Sequence, residues 1–327
     1  MSAIVRVDHL SKTFSAYGHE IHAVRDVSFE VERGELFGLF ASIGAGKSTL
    51  VRLLSTLVTP TRGTAAVDGF DIVRGDREVR ASIGLVTGDE RSFYGRLTCR
   101  QNLSFYAALQ NVPGRQVRSR VEAVLGLFDL PPKADAPFQS LSTGQKQRLN
   151  MARALVHDPP ILFLDEPTKS MDVQTADFVK ALIKQELVAR RRKTIVFISH
   201  ELYEMDNFCD RVAILAEGQL RAIGTPEELG ARIPRRAIYR VEVQGDADRI
   251  AARWRSLPGV EAAVEVSRGV ALTAFDVTLA DESSGVWLDV LKEVGECGGR
   301  VEEYRRVDDG SLRDVVKHFT SPPLEDA

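Results

Sequence analysis

Two patterns of apolar residues recur along the chain, and they predict different elements. Residues 3–10 and 24–31 alternate apolar and polar positions, as strands with one buried face do, and the second stretch ends at the turn Glu32-Arg33-Gly34-Glu35. Residues 36–40, 83–86, 161–164 and 194–198 are short continuous apolar runs, the pattern of strands buried on both faces. Between them lie helical patterns. Residues 48–57 place Leu50, Val51, Leu53 and Leu54 on one side. Residues 100–109 and 115–128 read as two helices separated by the breaker Pro113-Gly114, and residues 144–156 as a helix opened by a polar loop. Residues 64–71 form a hairpin arm, and a second hairpin turns at Ala216-Glu217-Gly218. Strands alternating with helices predict a parallel, layered α/β core.

The pattern changes near Ile233-Pro234-Arg235-Arg236, which divides the chain into domains at 1–233 and 236–320. Beyond it the order is strand (237–243), helix (247–257), strand (262–266), strand (272–279), helix (284–296) and strand (301–306). That is the β-α-β-β-α-β order of a ferredoxin-like unit. Trp254 and Trp287 fall on its amphipathic helices as core residues, and no motif for chemistry lies within it. A last helix is expected at 311–319, followed by an unstructured tail.

Composition narrows the class. Of 327 residues, 44% are hydrophobic and 27% charged, with a net charge of −3, the profile of an ordinary globular protein with no basic field to attract nucleic acid. Cys99, Cys209 and Cys297 are scattered without pairing or metal-binding spacing, which fits a reducing cytoplasm. The first ten residues do not read as a signal peptide, and no apolar run reaches the ~20 residues of a membrane helix. If the protein serves a membrane process, another chain supplies the spans.

The first candidate chemistry lies between the strand at 36–40 and the helix after it. Ala41-Ser42-Ile43-Gly44-Ala45-Gly46-Lys47-Ser48 follows the phosphate-loop pattern G-x-x-x-x-G-K-[ST], except that Ala41 occupies its first position. Glycines let backbone N–H groups wrap a phosphate closely, and the helix beginning near Lys47 aims its positive end at the same anion. Residues Ser42 to Thr49 are thus candidates to bind ATP, with Lys47 on the β- and γ-phosphates and Ser48 offering a hydroxyl to Mg²⁺. If Ala41 had to be left-handed its Cβ would cost about 1–2 kcal/mol; in the β region it costs nothing. A glycine-rich turn without a ligand is the bland reading, and the strand–loop–helix context argues against it.

The run Ile161 to Leu164 ends in Asp165-Glu166, two carboxylates at the edge where α/β sheets bind ligands. Asp165 can hold Mg²⁺, and Glu166 can orient and polarise an attacking water. Alone this pair reads equally as a surface strand end; downstream of a phosphate loop it completes a site.

Between the two stands Leu141-Ser142-Thr143-Gly144-Gln145, which resembles the signature Leu-Ser-Gly-Gly-Gln of ABC ATPases with Thr143 in place of the first glycine. Pro167-Thr168-Lys169-Ser170-Met171-Asp172 resembles that family's D-loop, and Ile198-Ser199-His200 its switch histidine. The chain from about residue 3 to 230 is thereby identified as resembling the ATP-binding subunit of an ABC transporter, and Gly310-Ser311-Leu312-Arg313-Asp314-Val315 resembles the closing segment of the drug and polysaccharide exporter branch. The resemblance implies a P-loop NTPase with a RecA-like core, an antiparallel β subdomain and a helical subdomain. It implies a homodimer assembled head to tail around two ATP molecules, with Ser142, Gly144 and Gln145 facing the γ-phosphate held by the other subunit's Lys47. His200 would contact the γ-phosphate and the water, and Phe14 stands where the family stacks an aromatic on adenine, a core aromatic being the other reading. The partner implied is a separately encoded multi-span permease at the cytoplasmic face of the membrane, with transport in the export direction. The accessory domain would steady the dimer or tune its nucleotide response.

Two departures from the family stand out. The phosphate loop opens Ala41-Ser42-Ile43 where the family has Gly-Pro-Asn. Gly88, in Thr87-Gly88-Asp89-Glu90, occupies the place of a glutamine that touches Mg²⁺, with Asp89 or Glu90 as possible substitutes. The aromatic and basic stretch Arg91-Ser92-Phe93-Tyr94-Gly95-Arg96-Leu97 lies where the family docks its membrane subunit, and it reads either as that contact or as a solvated loop. A soluble ABC ATPase and a weakly hydrolysing nucleotide sensor are the alternative functions.

Overall fold

Near-continuous apolar strands need cover on both faces, and the chain meets that need by burying one six-stranded sheet within residues 36–224. The computed structural model describes residues 3–16, 19–42, 44–87, 92–169, 171–201, 204–205, 207–231, 237–269, 272–280 and 284–307. They form two units, Met1–Pro226 and Glu227–Ala327. The division falls a few residues before the composition shift at 233–236, a stretch that lies wholly outside the described residues.

In the first unit β1 (Ala3–Ala16) and β2 (His19–Glu32) pair antiparallel along their whole length. Both strands run further toward the shared turn than alternation predicts, because beyond the core they bond each other as an exposed ribbon with several register shifts. Next come β3 (Leu36–Ala41), α1 (Lys47–Leu54), β4 (Arg62–Val67), β5 (Phe70–Asp71), α2 (Asp76–Ser82) and β6 (Ile83–Val86). Helix α1 stops at Leu54 rather than 57, since Thr56 takes a left-handed φ of 61°. Then follow α3 (Cys99–Leu109), α4 (Gly114–Leu127), α5 (Thr143–Leu155), β7 (Ile161–Asp165), α6 (Val173–Ala181), which continues as a π-helical stretch over Leu182–Arg190, β8 (Thr194–Ser199), β9 (Arg211–Ala216) and β10 (Gln219–Gly224).

The central sheet has the order β10-β9-β3-β8-β7-β6, parallel except for the β9–β10 hairpin. A second, antiparallel sheet runs β2-β1-β4-β5. One core joins them: Val5, Val7 and Val31 from the second sheet meet Phe37, Leu39, Phe163 and Ile198 from the central one, with α1 contributing Leu50 and Leu53. Phe29 and Phe37 stack at 5.6 Å across it. Helices α2 and α6, which the apolar pattern does not mark, each bury little: Val79 and Ser82 in α2, and Val179 in α6. Helix α6 is set instead by its Asp172 cap, whose carboxylate accepts from the Thr175 N–H at 2.9 Å.

The second unit opens in α7 (Pro226–Ala231), which straddles the division. It continues β11 (Ala237–Gln244), α8 (Ala247–Arg255), β12 (Val260–Arg268), β13 (Thr273–Leu279), α9 (Ser284–Glu296) and β14 (Arg300–Arg306). The four strands pair antiparallel in the order β12-β13-β11-β14, the ferredoxin-like arrangement. Trp254 is fully buried, donates from Nε1 to the Val290 carbonyl at 2.8 Å, and meets Phe275 edge to face. Trp287 is only half-buried, stacked on Tyr239 at 4.1 Å. The helix and tail expected after residue 310 lie outside the described residues.

Both tryptophans belong to the second unit, so their fluorescence reports on that unit alone. Trp254→Ala removes a fully buried ring and should destabilise the unit by roughly 3–5 kcal/mol. The check is a lowered urea midpoint in the Trp287 emission of the full-length chain.

Candidate active site

The strand pairing decides which loops meet. Leu39 of β3 and Asp165 of β7 both sit level with Ile198 of β8. The three strands therefore end together, and the residues that follow them, Ser42 onward, Glu166 and His200, emerge at one carboxyl edge of the sheet.

Ala41 closes β3, buried and paired with Leu215, and it has no positive φ. An extended backbone accepts a Cβ, so its departure from the glycine pattern introduces no strain. Gly44 and Gly46 take φ of 82° and 94°. At Gly46 a Cβ would lie 2.1 Å from the Ala23 carbonyl oxygen, so strand β2 presses directly on the loop. The loop is braced beside Ala23 by Gly218, whose N–H donates to the Ala45 carbonyl at 3.0 Å. Gly46 caps α1 without any side-chain hydrogen bond, so the helix offers backbone donors of the kind that bind anions.

Around this loop lies a cavity of about 540 Å³. It is lined by Ser42, Gly44, Gly46, Lys47, Ser48 and Thr49 of the loop and helix start, by Glu166 and Lys169, by His200, and by Ile21, His22 and Ala23 of β2. Of the residues expected from the sequence, Ile43 lies outside the described ones, and Ala45 is buried beneath the loop. Phe14 is 37% exposed, with the Lys12 Nζ 5.0 Å from its ring; its cross-strand neighbour Ile21 lines the cavity, while Phe14 does not. Ile21, His22, Ala23 and Lys169 are additions. The first three follow only from the pairing of β1 with β2, which no motif marks.

The charged side chains converge on one carboxylate. Lys47 Nζ lies 2.5 Å from Glu166 Oε1, and His200 Nδ1 lies 2.7 Å from the same oxygen. Lys169 Nζ lies 2.8 Å from the other oxygen, Oε2. Burial pushes the Glu166 carboxyl up, but the hydrogen bonds and charges of Lys169 and Lys47, helped by His200, outweigh it and bring the group down to about 2. Asp165 moves the opposite way: burial raises it against the pull of Lys47, and the neighbouring Glu166 charge adds to the rise. Asp165 Oδ1 lies 3.5 Å from Lys47 Nζ and is buried with no hydrogen-bond partner. Such an oxygen, with no hydrogen bond to give up, and the Ser48 hydroxyl are hard oxygen donors of the kind suited to Mg²⁺. Among the described residues no cluster of three or more His, Cys, Asp and Glu forms a protein cage for a metal. Mg²⁺ sites complete themselves with phosphate and water, so this donor set fits.

Glu166 has a left-handed φ of 50°, strained for a non-glycine residue. It is held there by its N–H on the Ile198 carbonyl at 2.9 Å and by the turn that Lys169 N–H closes onto the Glu166 carbonyl at 3.2 Å. Glu204 fastens this turn to β8: one carboxylate oxygen accepts from Thr168 Oγ1 and the other from Ser199 Oγ, both at 2.5 Å.

Ser142, Gly144 and Gln145 lie at the start of α5, outside the cavity lining. Ser142 and Gln145 form a capping box, Gln145 N–H donating to Ser142 Oγ at 3.3 Å and Ser142 N–H to Gln145 Oε1 at 3.1 Å. The residues Gly88, Asp89, Glu90 and Arg91 lie outside the described ones. Of the aromatics beyond them, Phe93 is buried and stacked on Phe138 at 4.7 Å, so it is core rather than contact surface; Tyr94 is 52% exposed. Arg153 of α5 packs over Phe93 and Tyr106 and donates to Ser92 Oγ at 2.6 Å.

Residues 24–169 match the family model described as ABC transporter. The chain is 33% identical over 226 residues to the ABC transporter ATP-binding protein NatA of Bacillus subtilis, a match spanning 69% of this chain and 91% of that protein. The chain belongs to the ABC transporter ATP-binding family. It is 36% identical to the methionine import ATP-binding protein MetN of Geobacillus kaustophilus over 66% of this chain and 64% of that protein. Its fold matches the dimeric, post-hydrolysis ATP-binding cassette MJ0796 bound to ADP and Pi, with a TM-score of 0.62 and 27% identity over 68% of this chain and 98% of that one. It also matches cbiO1 of Clostridium perfringens, part of the ABC transporter complex cbiONQ, at 0.63 and 28% over 71% of this chain and 92% of that one. The P-loop NTPase fold read from the sequence is thus the fold of this ABC cassette. The chain is an ABC-type ATPase, with ATP and Mg²⁺ as its cofactors. No helix among the described residues is long and apolar enough to cross a membrane.

Gly46→Ala should weaken ATP binding at least about tenfold, since the loop must move off Ala23 to admit the methyl. A fluorescent-nucleotide titration reads it. The Glu166 shift also sets a pH dependence. Its folded pKa, about 2, lies below the ordinary 4.5, so its contribution to stability is present above pH 4.5 and lost as pH falls toward 2. The melting temperature of nucleotide-free protein should therefore fall more steeply over that window than that of Glu166→Gln in parallel calorimetric scans.

Proposed function

We propose that this chain powers export: two copies close head to tail around two ATP molecules at the cytoplasmic face of the membrane and drive a separately encoded multi-span permease. The observation that carries the catalytic part is the meeting of Lys47, Glu166 and His200 in one cavity beside the phosphate loop, with Asp165 Oδ1 3.5 Å from the Lys47 ammonium. In this reading Lys47 leaves Glu166 for the β- and γ-phosphates when ATP enters, and the backbone from Gly44 to Ser48, with Thr49 and Ser42 beside it, cradles the phosphate oxygens. Ser48 and Asp165 would hold Mg²⁺, which would supply Lewis-acid neutralisation of phosphate charge. The freed Glu166 accepts a hydrogen bond from the attacking water, and His200 reaches the γ-phosphate from its place beside Glu166 Oε1.

The dimer is supported by the position of Ser142, Gly144 and Gln145, which cap α5 away from their own cavity and are available to a second one. The similar MJ0796 cassette is dimeric in its post-hydrolysis state, which agrees. Phe14, beside Ile21 at the cavity's β2 wall, is assigned to the adenine. Export is favoured by the likeness of Gly310 to Val315 to exporter closing segments. The Geobacillus kaustophilus methionine-import relative matches 66% of this chain, about the length of the ATPase unit, so it bears on the engine more than on direction. The extended backbone at Ala41 removes one ground for a weakly hydrolysing sensor.

Glu166→Gln should lower Mg²⁺-dependent hydrolysis by at least about a hundredfold while ATP binding persists. Absence of turnover by the unmutated protein with its membrane subunit supplied would sink the enzyme assignment. Uptake rather than extrusion by reconstituted vesicles would reverse the direction.

A further inference from the structure

A second lysine stands at the catalytic carboxylate. Lys169 is the fourth residue of the turn Glu166-Pro167-Thr168-Lys169, and its N–H closes that turn on the Glu166 carbonyl. The turn folds the lysine side chain back over Glu166, so that Nζ meets Oε2 at 2.8 Å while Lys47 and His200 share Oε1. The two carboxylate oxygens are thus divided: one faces the phosphate loop and the histidine, the other faces Lys169. Lys169 also lines the cavity. Its ammonium can hold its place because the turn itself is fixed, with Thr168 buried and bonded to Glu204.

We propose that Lys169 is a positioning residue for hydrolysis, holding Glu166 Oε2 so that Oε1 stays aimed at the phosphate site once ATP has drawn Lys47 away. The inference rests on the role of Glu166 given above. The carboxylate is held at both oxygens, by Lys47 and His200 at Oε1 and by Lys169 at Oε2. With nucleotide it loses Lys47, and rotation about the last side-chain bond would carry Oε1 off the line to the γ-phosphate. Lys169 is the cation outside the phosphate loop whose contact is with Oε2, the oxygen that the water does not need. Lys169 itself has no role in gripping the phosphates in this scheme, so its loss separates turnover from binding.

The test is steady-state MgATP hydrolysis by the full-length chain carrying Lys169→Met, Lys169→Arg or Glu166→Gln. Lys169→Met should lower kcat about tenfold, with KM for ATP within about twofold, as expected of an interaction that aligns the reacting group rather than binds substrate. The lysine side chain is 63% exposed, so the variant should fold, with a melting temperature no lower than that of Glu166→Gln, which loses the same ion pair. Lys169→Arg should recover kcat to within about threefold of the original, because a guanidinium can reach the same oxygen. A Lys169→Met kcat within about twofold of the original, alongside an inactive Glu166→Gln, would overturn the inference and leave the role of Glu166 standing. So would an Arg variant as slow as the Met variant. Undiminished turnover by Glu166→Gln would overturn the role of Glu166 and the inference with it.

Discussion

Parallel pairing of β3, β8 and β7 sets the height at which three loops leave the sheet, and the nucleotide site depends on that height. With Leu39 and Asp165 both level with Ile198, the phosphate loop, Glu166 and His200 need no further long-range adjustment to meet. A shift of one residue in either ladder would turn every strand side chain to the opposite face and separate the lysine from the carboxylates. The continuous apolar character of these strands protects the register: Ile161 to Leu164 and Ile195 to Ile198 are buried, and the core from β1, β2 and α1 covers one face of the sheet.

On that frame sits a concentration of charged and polar groups. Lys47, Lys169 and His200 surround the Glu166 carboxylate, while Asp165 beside it keeps an oxygen without a hydrogen-bond partner. The two neighbouring carboxyls are displaced in opposite directions, one by its cations and one by burial. Two acids side by side thus acquire different tasks from their surroundings, as paired catalytic groups do. The left-handed backbone at Glu166 is tolerated because hydrogen bonds at both its N–H and its carbonyl hold it, and because Glu204 ties the adjoining turn to β8.

The second unit obeys a simpler rule. Its four strands are antiparallel and present one face to α8 and α9, around Trp254, Val241, Phe275 and Val277. Trp254 can be fully buried because its one polar atom finds the Val290 carbonyl.

The linear order of apolar runs, glycines and charged residues was enough to identify the central strands, the phosphate loop, the Asp165-Glu166 pair and the β-α-β-β-α-β order after residue 236. These are local properties: strand burial imprints a continuous apolar run, and close phosphate approach demands glycine next to lysine. Residues whose role depends on pairing left no such imprint. The sequence could not decide the backbone of Ala41, which is extended because it bonds within the sheet to Leu215. It could not show Ile21 and His22 at the cavity, since that follows from the register of an exposed ribbon. Nor could it show that Phe93 is interior, or that α2 and α6 form where so few apolar residues mark them. Lys169 is the sharpest case. Its spacing from Glu166 is visible in the chain, but only the turn that closes between them brings the ammonium onto the carboxylate, and hydrogen bonds from β8 and Glu204 decide that turn.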